Sequence, residues 1–402
     1  MSKLKKIKID QIEVGMFIHK IDISWINSPF LRHRRKIEKE KDILLLKKSG
    51  VKNVVIDLSK GKDITPVKSD SSDEINEQNT DENTFQQNDN DEPSVPLSEE
   101  MLVARKVQQQ IHHLVSDLNE KIKNDEPINV DSIKPIISET LASLKRNDQA
   151  LLSILHMHRK DVRLDSHAFG VFSIVLPLAI KCKLSHEDID ILGMAALLHD
   201  CGWSRLPINL IGKRQAYTER EQQLIKQHTT IAVNALQLSN CVSKDVLQLV
   251  AQHHENSNGD GYPGKLKEEK LHRLHHYLQI ADIYDERIHG FDDQPAELPA
   301  NALRLIYQKS TLGFFPTILA VEMLRIMGIY PISTIVKLTS GEIGIVREIN
   351  RKLPLLPLVE LLLDENNQLL TQREMINLSS KEESRLVADV LDDSALPADI
   401  VI

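Results

Sequence analysis

Cysteine is scarce: three in 402 residues, Cys182, Cys201 and Cys241, with no CxxC spacing. That excludes a disulfide scaffold and fits a reducing compartment. Long apolar runs are missing too. The longest, from Gly170 to Ile180, is about half of a bilayer span and contains Pro177. The basic start Met1-Ser-Lys-Leu-Lys-Lys-Ile-Lys leads into an alternating charged stretch instead of the apolar core of a signal peptide. A soluble, cytoplasmic protein without membrane insertion is therefore expected. The chain has no internal repeat. It also lacks the N-terminal acid cluster and switch lysine of a phosphorelay receiver.

What is present begins with an uneven charge distribution. Lys and Arg number 50 and Asp and Glu 58, for a net charge of −8. Residues 66–98 alone hold nine acids and one lysine, also −8, so the rest of the chain is neutral. With no broad basic face, a polymeric nucleic acid is not an expected partner.

At roughly 100–200 residues per domain, the length predicts two to four units. Residues 1–65 read as a small α+β domain. Ile7, Ile9 and Ile12 bracket apolar alternations, Val14 to Ile18 and Val54 to Ile56 read as strands, and residues 36–48 have helical spacing. Residues 66–98 have scarcely any hydrophobes and cannot offset their ordering entropy, which predicts a disordered acidic linker. Residues 99–328 read as almost wholly helical. Ala104, Val107, Ile111, Leu114, Leu118 and Ile122 mark a long amphipathic helix. Asp131 reads as the N-cap of a helix running through Leu155, and Thr218-Glu219-Arg220-Glu221 as a capping box. Residues 329–402 read as a β-rich tail, with runs at 334–338, 344–347 and 358–363 and a loose final twenty or so residues. The expected fold class is mainly α: a helical bundle with a small N-terminal α+β domain and a short C-terminal β-rich extension.

The chemistry-bearing residues fall between His167 and Asp282. His199-Asp200 ends an apolar helical run. His228 lies inside the helix opened at Thr218, His253-His254 end a further helix, and Asp282 follows the apolar stretch Tyr277 to Ala281. Imidazole and carboxylate suit iron, manganese, zinc or related ions. An adjacent His-Asp pair can serve two ions, because the carboxylate can bridge. Two divalent ions roughly 3.5–4 Å apart suit in-line attack of water on a phosphodiester. Any one of these histidines is more often structural, and a helix C-terminus welcomes His for dipole reasons. Their combination in this order is the specific signal.

That combination resembles the HD-GYP family of cyclic di-GMP phosphodiesterases, within the HD metal-dependent phosphohydrolase superfamily. The family's first metal histidine is similar to His167 in Asp165-Ser166-His167-Ala168, and its His-Asp pair to His199-Asp200. Leu206-Pro207, Lys213, Thr218, Glu221 and His228 follow in the family's spacing. His253-His254-Glu255…Gly259-Asp260-Gly261-Tyr262-Pro263 resembles the HHExxxGxGYP signature, and Asp282 the final metal ligand. The resemblance covers roughly residues 140–290 and implies an HD-type bundle. It also implies two divalent ions, iron or manganese, held by His167, His199, Asp200, His228, His253, His254 and Asp282. His199 and Asp200 would carry the catalysis, with Asp200 bridging the ions and a bridging hydroxide attacking phosphorus. Gly261, Tyr262 and Pro263 would shape the nucleotide pocket.

Departures from the family fall in the phosphate clamp. Trp203 stands where the family has a lysine, Phe291 where it has an arginine, and Arg163 where members with a third ion carry glutamate. Arg205, Lys213, Arg214 and Arg287 are nearby cations that could substitute, and Trp203 could stack on a guanine or simply pack. His272, His275 and His276 read as structural. The expected activity is hydrolysis of cyclic di-GMP to pGpG, with GMP as a further product. The alternatives are hydrolysis of another cyclic dinucleotide such as cyclic GMP-AMP, or a degenerate receptor or scaffold that binds without turnover. A homodimer or a partner signalling protein is a further expectation, with the long helix 99–122 as a candidate contact.

Overall fold

The computed structural model describes residues 4–21, 35–37, 39–48, 51–62, 93–157, 161–211, 213, 215–240, 242–291, 295–392 and 395–397. Most of the acidic linker, Cys241 and Arg214 lie outside the described residues.

Leu4–Lys8 (β1), Phe17–Ile21 (β2), Arg35–Lys36 (β3) and Asn53–Asp57 (β4) make an antiparallel sheet in the order β1-β4-β2-β3, accompanied by the helix Glu40–Lys48 (α1). Ile7, Ile18, Val54 and Ile56 face a small core with Met16, Ile37 and Leu46. Lys5, Lys6 and Lys8 line the edge strand β1, a composition that discourages further strand pairing.

The helical domain comprises Leu97–Lys123 (α2), Ile133–Arg146 (α3), Ala150–Met157 (α4), Leu164–Lys181 (α5), His186–Leu198 (α6), Glu219–Ile225 (α7), His228–Ser239 (α8), Lys244–Gln252 (α9), His275–His289 (α10), Pro299–Thr311 (α11) and Thr317–Met327 (α12). The α2 stripe of Ala104, Val107, Ile111, Leu114, Leu118 and Ile122 is buried, as its spacing predicts. Helix α5 is the centre of the bundle, buried without interruption from Ser166 to Ala179 and packed between α6, α10 and α2. By length and composition it could cross a membrane, but 78% of it is buried inside the bundle.

Two local readings are corrected here. The helix expected from Asp131 through Leu155 is two helices, α3 and α4, and Ser132 rather than Asp131 precedes the first. Asn147 breaks it: its backbone turns extended, its side-chain oxygen accepts from the Gln149 amide at 3.0 Å, and its amide donates to the Val95 carbonyl. An asparagine side chain that bonds locally competes with the helical ladder. The helical domain also begins before residue 99, because the Ser94 amide bonds the Arg146 carbonyl at 2.9 Å and α2 starts at Leu97.

Glu100, 2% exposed, ties α2 to α3 by accepting from Arg146 at 2.7 and 2.8 Å and from Ser143 at 2.6 Å. The Arg146 hydrogen bond holds its carboxyl below the ordinary glutamate value. A depressed folded pKa contributes stability above the unfolded value of about 4.3, and that stability is lost as pH falls through the folded value. Glu100→Gln is expected to cost about 1–3 kcal/mol at pH 7, because one charge loses its partner. Urea unfolding midpoints of the two proteins should converge as the pH is taken below 4.

Ile335–Leu338 (β5), Ile343–Glu348 (β6), Leu358–Leu363 (β7), Met375–Asn377 (β8) and Val387–Leu391 (β9) form the C-terminal antiparallel sheet, ordered β8-β7-β6-β5-β9. Strand β9 lies in the segment expected to be loose. It pairs with β5, Val336 opposite Val390, and buries Val387 and Val390.

Candidate metal centre

Helix ends assemble the site. His167 lies in the first turn of α5, His199 and Asp200 directly follow α6, His228 opens α8, His253 and His254 follow α9, and Asp282 projects from α10. Their ligand atoms form two groups, Asp200/His228/His253/His254 and His167/His199/Asp282, each with all donors within 4.8 Å of one another. The structure thus brings together all seven residues that the sequence resemblance implies.

The histidines are aimed by their second nitrogens. His199 Nδ1 donates to the Ala196 carbonyl (2.9 Å), His228 Nδ1 to Ile225 (2.8 Å) and His253 Nδ1 to Val250 (2.8 Å). His167 Nδ1 donates to the Asp285 carboxylate at 2.6 Å. Carbonyls and carboxylates only accept, so the Nδ1 atoms carry the protons and the Nε2 lone pairs face inward. Those lone pairs meet at 3.1 Å between His167 and His199, and again at 3.1 Å between His228 and His253. Two ring nitrogens that close repel unless a proton or a cation lies between them.

Asp200 spans both groups. Its Oδ2 faces His167 (3.5 Å) and His199 (3.7 Å), and its Oδ1 faces His228 (3.2 Å) and His253 (3.5 Å). Asp282 Oδ1 lies 3.1 Å from His167, with Oδ2 towards His254 at 3.9 Å. Asp200 Oδ1 and Asp282 Oδ1 are buried without a hydrogen-bond partner. Buried carboxylate oxygens left unsatisfied among inward-facing nitrogen lone pairs fit divalent cations.

The electrostatics agree with that fit. Burial alone would raise the Asp200 carboxyl, but His199 and His228 outweigh it and hold the group well below its usual value. Burial would likewise keep His167 neutral, but Asp282 and Asp285 overcome it and hold its pKa well above normal. This half of the site attracts positive charge. Burial lowers His228 to about 4, only partly offset by Asp200, so its ring stays neutral and available as a ligand.

An aromatic collar surrounds the cluster. Trp203 stacks on His228 (5.4 Å, 20°) while packing with Leu206, Leu210 and Ile225. Tyr262 stacks on His254 (4.7 Å, 26°), and Phe291 leans on His167 (4.8 Å). Together with Leu164, Ile211, Tyr217 and Glu286 they line the pocket over the His/Asp cluster. Of the Gly261-Tyr262-Pro263 element, only Tyr262 lines it. Glu255 fastens the loop by accepting from the Gly264 and Leu266 amides, and His275 and Gln279 bind its carbonyl. His272 and His276 pair with Asp245 and Glu268 on the same scaffold.

The cations named from sequence are engaged elsewhere. Arg205 binds the Ile122 carbonyl and Asp125, Lys213 binds both oxygens of Glu221, and Arg287 binds Glu297. None of them lines the pocket. Lys226 instead sits 5.4 Å from the Tyr262 ring and forms no ion pair among the described residues. Sequence reading also passes over Asp285, which orients His167, and Glu286, grouped with His254 and Asp282. Both follow Asp282 at three and four residues on α10, a spacing that places them near one helix face.

Residues 131–312 match the model of the HD domain, residues 4–133 a domain of unknown function, DUF3391, and residues 335–397 a KOW domain associated with HD domains. The chain is 26% identical over 378 residues to "Cyclic di-GMP phosphodiesterase PA4108" of Pseudomonas aeruginosa, covering 93% of this chain and 89% of that protein. It is 31% identical over 152 residues to the "Cyclic di-GMP phosphodiesterase response regulator RpfG" of Xanthomonas campestris, covering 38% and 39%. Among solved structures, the HDG"Y"P protein Bd1817 of Bdellovibrio bacteriovorus aligns with a TM-score of 0.48 at 19% identity, over 80% of this chain and 98% of that one. Residues 131–312 therefore make this an HD-domain protein. His253-His254-Glu255 and Gly261-Tyr262-Pro263 fall inside that match.

Proposed function

We propose that this protein is a metal-dependent phosphodiesterase that hydrolyses cyclic di-GMP to pGpG, with onward hydrolysis to GMP. The observation that carries the reading is the facing of Nε2 atoms within each half of the site, with Asp200 spanning both halves. The named activities of the Pseudomonas and Xanthomonas relatives support the substrate.

His167, His199 and Asp282 would hold one ion, and His228, His253 and His254 the other, with Asp200 shared. The family resemblance favours iron or manganese, and nitrogen and oxygen donors accept these as well as zinc. When bound, two such ions activate water and neutralise charge that develops on the phosphoryl group. The chain's own part is positional. The His167, His199, His228 and His253 rings are locked by their Nδ1 hydrogen bonds, so turning one away from the centre breaks that bond. Trp203, Tyr262 and Phe291 offer apolar faces to the nucleotide and limit water around the reacting phosphate. Lys226 supplies a cation near Tyr262 for the phosphate diester. The location read for such an enzyme is the cytoplasm, with residues 1–65 as an input domain joined by the acidic linker 66–98 to the catalytic domain 99–328 and the tail 329–402.

The pairing of Arg205, Lys213 and Arg287 away from the pocket favours a second reading, a receptor that binds without turnover. Purified protein loaded with iron or manganese and given cyclic di-GMP distinguishes the two. Release of pGpG supports the hydrolase, and saturable binding without product supports the receptor. Neither binding nor product sinks both.

A further inference from the structure

One side of α10 carries three polar groups in register. Asp282, Asp285 and His289 follow one another at spacings of three and four residues, which places them on one face of the helix. The helix packs against α5, where His167 lies. Asp282 reaches the His/Asp cluster directly, and Asp285 accepts from His167 Nδ1 at 2.6 Å. His289, 3% exposed, turns its own Nδ1 to the same residue, 3.1 Å from Asp285 Oδ2 and 3.0 Å from the Asp285 carbonyl. Both of these oxygens accept, so Nδ1 carries the proton and shares it between them.

Asp285 depends on the two rings. It is fully buried, its Oδ2 faces both imidazoles, and its Oδ1 has no hydrogen-bond partner. The carboxylate also lies against bare backbone of α5, since a β-carbon on Gly170 would stand 1.7 Å from Oδ1. That packing limits where the carboxylate sits. Its rotation is left to hydrogen bonds, because the last torsion of an aspartate is broad and roughly two-fold. With His289 in place, the oxygen that faces His167 has two donors and the other has none. Without His289, the acceptor that aims the His167 ring loses half of what holds it.

We propose that His289 is a positioning residue for the half of the metal centre built on His167: by holding Asp285 it keeps His167 aimed at the ion shared with His199 and Asp282. The proposal rests on the two-ion reading of the site and deepens it. Its distinctive consequence is asymmetry. His228 and His253 are held by the backbone carbonyls of Ile225 and Val250, so neither is aimed through Asp285 or His289.

The test titrates the full metal-free chain with manganese and counts bound ions by loss of the free-ion electron paramagnetic resonance signal. Wild type is expected to take up two. His289→Phe keeps a ring and removes the donor. It is expected to bind one ion as wild type does and the other about ten- to hundredfold more weakly, the scale for losing an outer partner of a metal-binding imidazole. His289→Asn places an N–H close to the same oxygens and should recover most of that loss, a rescue that a merely space-filling ring would not give. Two ions bound by His289→Phe with wild-type affinity overturn the proposal and leave the two-ion reading intact. Equal weakening of both ions overturns it as well, and so does a His289→Asn protein no better than His289→Phe. Should His289→Phe not fold, His289→Ala is read by the same criteria. If wild type itself binds fewer than two ions, the two-ion reading fails and the proposal with it.

Discussion

Asp200→Ala is expected to lower phosphodiesterase turnover by about 10³-fold or more, because one substitution removes a donor from both halves of the metal site. The two oxygens of this carboxylate face different histidine pairs, His167/His199 and His228/His253. Loss of the side chain also leaves the inward-facing lone pairs without the negative charge that draws cations to them. Metal analysis should therefore show fewer than two ions per chain, with circular dichroism unchanged. Asp200→Asn keeps the shape and removes the charge, so it separates packing from electrostatics. An Asn variant with full metal content and full activity would show that the bridging charge is dispensable.

Gly202→Ala is expected to be the most disruptive small substitution near the site. Gly202 lies in the 3-10 turn Cys201–Arg205 that packs on the start of α8. A β-carbon there would stand 2.0 Å from the His228 carbonyl oxygen and 2.8 Å from the Ala232 amide nitrogen. Both neighbours are backbone, so neither can rotate aside. Relief requires α8 to move, and His228 moves with it. Overpacking of this kind costs about 3 kcal/mol, or a fall in melting temperature of roughly 6–12 °C for a domain of this size. Metal content should fall alongside stability. A variant with wild-type melting temperature and full metal occupancy would mean that the turn and α8 tolerate separation.

The seven side chains that the structure gathers were legible in the sequence because the chemistry of a metal site would constrain residue type and spacing together. His199-Asp200 and His253-His254 each end a helix, and Thr218 fixes where the helix before His228 begins. The Thr218 capping box is present, with Thr218 Oγ1 accepting from Glu221 and Glu221 bonding back to the Thr218 amide. The flexible cations were not legible. Arg205, Lys213 and Arg287 carry long side chains whose ends are placed by whichever carboxylate or carbonyl tertiary structure brings near, and local sequence does not encode that. Asp285 was passed over for a related reason: its role depends on α10 packing against α5, which no spacing within α10 reveals. The break at Asn147 and the strand β9 were missed because each is short and decided by a few side-chain bonds or a single buried pair of valines.

The order of the C-terminal sheet also bears on how a shortened chain would behave. Because β5 lies between β6 and β9, cutting the protein before Val387 would strip one side of β5 and leave its peptide groups open beside Ile335 and Val336. An open edge of that kind recruits strands from other molecules. The symptom of such a truncation would be self-association at high protein concentration, with the catalytic bundle still folded.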